Sequence, residues 1–148
     1  MAEQHDTILV AVEFEGSSRK AIEAARWLAG PLGAEIVLVH AHHRAGFAHP
    51  ELPGEMVARI EVLVEEAAIR SLAEVAEELG AVRTLFRHGE PAEVILAVAE
   101  EIAPRMIVMG THGRRGLGRF FLGSVAAEVV RASPVPVVTV RCPAEPRG

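Results

Sequence analysis

The sequence predicts a doubly wound α/β fold, a five-stranded parallel sheet with helices on both faces. Three observations carry this expectation. Short β-rich runs alternate with amphipathic stretches along the chain, which implies parallel strands joined by right-handed crossovers. The runs I-L-V-A-V and I-V-L-V are continuously apolar, as strands covered on both faces must be. Gly and Pro punctuate the boundaries between these runs. With 148 residues, half of them apolar, one domain over residues 1–148 is expected, large enough to bury a substantial core.

Taken in order, residues 7–12 (T-I-L-V-A-V) read as the first strand. An amphipathic helix follows with Ala21, Ile22, Ala24, Ala25, Leu28 and Ala29 on one face, capped by Ser17 or Ser18 and ended by Gly30, Pro31 and Gly33. Residues 35–41 (E-I-V-L-V-H-A) give a second strand, and residues 44–54, with Pro50 and Pro53, a loop suited to act as a flap. The longest periodic segment, residues 55–79, places Val57, Ile60, Val64, Ala67, Ala68, Leu72, Val75, Ala76 and Leu79 on one stripe, read as core packing. Gly80 stops it. Residues 82–87 form a third strand, and Pro91 opens a helix through Ile102 in the first-turn position where its missing amide is harmless. Residues 105–109 make a fourth strand, residues 124–132 a short helix and residues 134–141 (P-V-P-V-V-T-V-R) a fifth strand.

Between the fourth strand and the last helix lies G-T-H-G-R-R-G-L-G-R-F-F-L-G-S, residues 110–124. Glycines let a backbone approach a ligand closely, and amides at a helix start point at an arriving anion. From Ile102 to Ala127 the chain carries Arg105, Arg114, Arg115 and Arg119 and no Asp or Glu, although its net charge is -5. An anion site is the simplest cause. In a doubly wound sheet, ligands collect beyond the carboxyl ends of the strands where the strand order reverses. The turn after the first strand and this glycine loop would flank that crevice.

Composition narrows the chemistry. A net negative chain with pI near 5.8 argues against a sequence-independent nucleic-acid or acidic-membrane binder, which needs a basic surface. No run approaches the roughly 18–20 apolar residues of a membrane span, and the polar start M-A-E-Q-H-D lacks signal-peptide order, so a cytoplasmic protein is expected. Cys142, the single cysteine, cannot form an internal disulfide. A Walker P-loop needs Lys directly before Ser/Thr, but Gly123 precedes Ser124. A phospho-acceptor receiver needs clustered acids and an acceptor Asp at strand ends, and Asp6 is the only aspartate.

These residues resemble the universal stress proteins along nearly the whole chain. The resemblance is carried by residues 8–21 (I-L-V-A-V-E-F-E-G-S-S-R-K-A), 33–41, 89–95 (G-E-P-A-E-V-I) and 107–117 (I-V-M-G-T-H-G-R-R-G-L), continuing into L-G-S-V-A. Gly110, Gly113, Gly123 and Ser124 satisfy the G-x2-G-x9-G-[ST] spacing of the family's nucleotide-binding branch. The resemblance implies an adenine nucleotide alpha hydrolase-like fold, with its strands in the order 3-2-1-4-5, that binds ATP, or AMP or ADP, with Mg2+ held through the phosphates. It places Met109, Gly110, His112 and Gly113 along ribose and phosphates, Arg114 as a phosphate partner, and Gly123, Ser124 and the Val125 amide at the terminal phosphates. Ala11, Val12, Glu13 and Ala41 would border adenine and ribose, largely through backbone groups. Where the family usually has Asp and Ser, this chain has Glu13 and Glu15, which shifts the geometry and adds negative charge against a triphosphate.

Other features admit two readings. Arg115 and Arg119 either meet phosphate or lie solvated, and His112 shapes the turn or touches ligand. His40, His42, His43 and His49 read as a strand end and polar loop, since no cysteine or nearby aspartate completes a metal set. Phe120 and Phe121 read as packed against protein. The apolar strand from Pro134 to Val140 would lie at a sheet edge, where antiparallel pairing with a second copy gives the homodimer that the resemblance also implies. The phosphate loop has no acid to orient a water, so the expectation is a binding protein acting in the stress response, with no catalytic residues. The rival is a nucleotide-free interaction module.

Overall fold

The computed structural model describes residues 6–13, 16–43, 50–80, 82–111 and 122–141. Its elements are β1 (Thr7–Ala11), α1 (Gly16–Leu32), β2 (Glu35–His42), α2 (Gly54–Glu78), β3 (Arg83–His88), α3 (Pro91–Ile102), β4 (Met106–Gly110), α4 (Ser124–Ala132) and β5 (Val137–Val140). The strands form one sheet that is all parallel, as the alternation predicts, and ordered β3-β2-β1-β4-β5, as the resemblance implies.

Strand periodicity sorts the core into two layers. Leu9, Val37, Val39, Leu85, Ile107 and Met109 face one side and pack with Val94, Ile95, Val98 and Ala99 of α3 and Ala126 and Val129 of α4. Ile8, Val10, Leu38 and Val108 face the other side and pack with Ala21, Ala25 and Ala29 of α1 and Leu72 and Ala76 of α2. Ile8, Leu9, Leu38 and Ile107 are fully buried. Burying each such side chain stabilises the fold by about 1.5–3 kcal/mol. No helix among the described residues is long and apolar enough to cross a membrane.

Several boundaries differ from the sequence reading, each for a physical reason. The first helix does not stop at Gly30 but continues through Pro31 to Leu32. It closes at Gly33, whose φ is +59°, with Ala34 N–H donating to Ala29 C=O (3.0 Å) and Gly33 N–H to Gly30 C=O (3.2 Å). This is a Schellman closure, and it needs a glycine at the left-handed position. Pro31 lies in the last turn, where the carbonyl it leaves unpaired belongs to exposed Trp27 and can meet water. Ser18 does not cap the helix. It is buried inside the first turn, and its Oγ accepts the Glu13 N–H.

The stripe on α2 is core only toward its C-terminal end. Leu72 and Ala76 are buried, whereas Val64 and Ala67 are exposed, as are Met56 and Leu63. A 25-residue helix rises about 37 Å, while the eight-residue β2 spans only about 26 Å, so the helix outruns the sheet that covers it. The fifth strand starts at Val137 rather than Pro134. Pro134 and Pro136 lack amides for the ladder, and Ser133 Oγ closes a local turn by accepting Val135 N–H (3.1 Å) and donating to Val135 C=O (2.7 Å).

Arg105 is also reassigned. It precedes β4 at the amino edge of the sheet, opposite the loop, with its N–H on Thr7 C=O (2.8 Å) and its Nε 2.8 Å from Asp6 Oδ1. Its charge belongs to a surface ion pair and is not part of an anion site.

Candidate functional site

The strand order reverses between β1 and β4, and the register there sets which backbone segments meet. Val10 pairs with Val108, so the same register continued brings Val12 beside Gly110. On the other flank Ala11 pairs with Val39, which brings Glu13 beside Ala41. Ala11, Val12 and Met109 are buried, Ala41 and Gly110 half-buried, and Glu13 exposed. The carboxyl ends of β1, β2 and β4 therefore bring together Ala11, Val12, Glu13, Ala41, Met109 and Gly110.

Gly110 belongs to β4 rather than to the loop, in register with Val140. Buried Thr111 then turns the chain, its N–H donating to Val140 C=O (3.0 Å) and its C=O accepting Gly123 N–H (2.7 Å). That second bond joins the two ends of the glycine segment and sets the start of α4 directly beside the end of β4. Gly123 is the N-cap of α4, with φ -54° and ψ 158°, and no side chain caps the helix. Ala127 N–H donates to Gly123 C=O (2.9 Å), and the first turn contains no acid. The Ser124 and Val125 amides thus lie at a positive helix end with no carboxylate in that turn to compete for them. His112, Gly113 and Arg114, with Arg115, Arg119, Phe120 and Phe121, lie outside the described residues, as do Glu15, His49 and Cys142.

Across the crevice, the β1 turn is held more tightly than the sequence suggests. Val12 N–H donates to Val39 C=O (2.9 Å), and Glu13 N–H donates to Ser18 Oγ (2.7 Å). The Val12 carbonyl lies 2.7 Å from His40 Nδ1. A carbonyl can only accept, so Nδ1 carries the proton in this contact. Because the Val12 and Glu13 amides are occupied, contacts to a ligand from this turn fall to carbonyls, to the Glu13 side chain and to the Ala41 backbone.

His40 and Ser18 are the residues sequence reasoning missed. His40 was read as part of a polar strand end, yet its ring lies half-buried, 5.6 Å from Phe86 and 6.3 Å from His42. Burial holds its imidazole below the usual 6.5; the Val12 hydrogen bond opposes that shift and His42 adds to it. His42 stacks on Phe86 at 5.5 Å, and His88 meets both rings edge-on at 5.6 Å. His88 Nε2 lies 3.1 Å from Glu65 of α2, and His43 Nδ1 lies 3.1 Å from Glu90. Among the described residues, no three His, Cys, Asp or Glu side chains are grouped to hold a metal ion. Arg141 was read only as the end of a strand, but following Val140 it adds a cationic residue at the loop edge of the sheet.

Comparison with known proteins agrees with this architecture. Residues 4–141 match the model of the universal stress protein family. Universal stress protein YxiE of Bacillus subtilis is 33% identical over 144 residues, covering 90% of this chain and 97% of its own. Among solved structures, protein MJ0577 of Methanocaldococcus jannaschii superposes with a TM-score of 0.80 at 24% identity, over 94% of this chain and 97% of its own. A universal stress protein solved in complex with cAMP superposes with a TM-score of 0.62 at 24% identity, over 93% of this chain and 98% of its own. A family match across nearly the whole length, joined to the same sheet order, leads to one conclusion: the chain belongs to the universal stress protein family.

Proposed function

We propose that this protein binds an adenine nucleotide in the crevice between the β1 and β2 ends and the start of α4, and serves as a cytoplasmic sensor or regulator in the stress response. The observation that carries the reading is the Thr111–Gly123 hydrogen bond, which sets an uncapped helix start beside Gly110 at the point where the strand order reverses. Phosphates would lie on the Ser124 and Val125 amides. Gly123 has backbone angles that any residue adopts, so what its missing Cβ offers is room for close approach. The intact spacing of Gly110, Gly113, Gly123 and Ser124 supports the same reading, with His112 and Arg114 on the loop. ATP, ADP or AMP would bind with its base toward Ala11, Val12, Glu13, Ala41 and Met109, and Mg2+ would be held through the phosphates. The cAMP bound by a relative of the same fold is consistent with an adenine nucleotide here. The reading is of binding without efficient turnover, because residues 110–124 carry no Asp or Glu to orient a water.

Thermal unfolding with and without Mg-ATP, ADP or AMP tests this. At 100 times its dissociation constant a ligand adds about 2.7 kcal/mol, so an upward shift of several degrees is expected. No shift with any of the three at millimolar concentration overturns the reading and favours the interaction module.

The reading includes a homodimer through β5. Its residues V-V-T-V carry no charge, whereas β3, at the other edge, carries Arg83 and Arg87, charges of the kind that discourage strand addition. Pro136 and Val140 turn their carbonyls to β4, so alternation points the Thr139 amide outward. Thr139→Pro removes that donor without costing a β4 bond, and light scattering is expected to show a monomer.

A further inference from the structure

We infer that His40 is a positioning residue for the base end of this nucleotide site, acting through the single peptide that joins Val12 to Glu13. The inference rests on the proposed function above and adds to it a residue 28 positions away in sequence.

That peptide is held at both of its polar ends. Its carbonyl oxygen, on Val12, accepts the His40 Nδ1 proton at 2.7 Å, and its amide, on Glu13, donates to Ser18 Oγ at 2.7 Å. One partner comes from β2 and the other from α1, so the peptide plane is fixed between two elements. A plane held at one end can still rotate about the other; held at both it cannot. Everything that leaves this plane next is oriented by it, and Glu13 leaves it at the mouth of the crevice. The ring that does the holding is itself constrained. It is half-buried beside Phe86 and His42; burial favours its neutral form, and the Val12 carbonyl selects the tautomer protonated on Nδ1.

This arrangement explains a histidine where the face of β2 beneath α1 and α2 otherwise continues Ile36 and Leu38. An apolar side chain there would bury more surface but would leave the Val12 carbonyl without this donor. Of the two bonds that hold the peptide, only the one to Ser18 would then remain.

The test compares His40→Phe with His40→Asn in the full chain, with AMP and Mg-ATP as probes by calorimetry. Phe keeps an aromatic ring and removes the donor, whereas Asn Nδ2 supplies a donor near the position of Nδ1. Loss of about tenfold in affinity for both nucleotides is expected in His40→Phe, the scale of one net hydrogen bond. Recovery to within about threefold of wild type is expected in His40→Asn. Ser18→Ala frees the other end of the same peptide and is expected to lower affinity in the same direction, which keeps the test open where His40→Phe does not fold. Unchanged affinity in both His40→Phe and Ser18→Ala, or equal loss in the Phe and Asn variants, overturns the inference. Binding by wild type with indifferent variants removes this inference alone. Absence of binding by wild type removes the site reading and the inference together.

Discussion

Replacing Ser18 by Ala isolates the contribution of one hydroxyl to the fold. Ser18 is 5% exposed, and its Oγ lies 2.7 Å from the Glu13 amide, within the range of a good N–H···O bond. Ala removes only that oxygen, so packing changes little and the loss is that of one neutral hydrogen bond, about 0.5–1.5 kcal/mol. The bond is only part-buried, so the cost should stay near the middle of that range. For a chain of 148 residues, about 1 kcal/mol corresponds to a fall of roughly 2–4 °C in melting temperature. Calorimetric melting of wild type, Ser18→Ala and Lys20→Ala separates this from a general helix effect. The Lys20–Glu23 contact is 3.4 Å and exposed, so its loss should change stability by less than about 0.5 kcal/mol. Equal melting temperatures for wild type and Ser18→Ala would refute the reasoning, since a part-buried 2.7 Å bond would then contribute nothing.

Three further outcomes are expected. Ala103 caps α3 at φ 45°, a left-handed angle that penalises a Cβ, so Ala103→Gly should stabilise by about 0.5–1 kcal/mol in urea unfolding; a lower midpoint contradicts this. Ile107 is fully buried in β4, so Ile107→Ala should destabilise by about 2–5 kcal/mol, and a loss below about 1 kcal/mol would show that the layer collapses around the gap. His40 titrates below 6.5 when folded, so the unfolded chain takes up its proton first as pH falls. Its contribution is therefore complete above 6.5 and is lost as pH drops toward the lowered folded value, and His40→Asn should flatten that part of the stability-against-pH curve.

Local pattern carries far in this chain. The parallel sheet covered on both faces and the bounds of α4 were legible because continuous apolar runs and helical stripes report burial directly, whereas the strand order came with the family resemblance. What was not legible depends on distances between elements. The α2 stripe is apolar beyond Leu72 toward its start, and nothing local shows that the sheet beneath it is shorter than the helix. Arg105 joins the arginine-rich segment in sequence but stands at the opposite edge of the sheet, because a strand carries its two ends apart. Pro31 signals a stop in sequence, yet the exposed last turn of α1 tolerates it. The His40 and Ser18 bonds to one peptide join elements whose residues are far apart or whose usual role is a different one. A serine near a helix start reads as a cap of the following amides, and here it accepts a preceding one.

The account stands on backbone amides at the start of α4 meeting phosphate beside the end of β4. Amide chemical shifts followed during titration with Mg-ATP measure this most directly. The largest changes are expected at Gly110, Gly123, Ser124 and Val125, with Glu13 responding at the base end. Changes confined instead to the groove of about 790 Å³ between α1 and α2, lined by Arg19, Arg26, Glu74 and Glu78, would contradict the account, as would a spectrum that does not move.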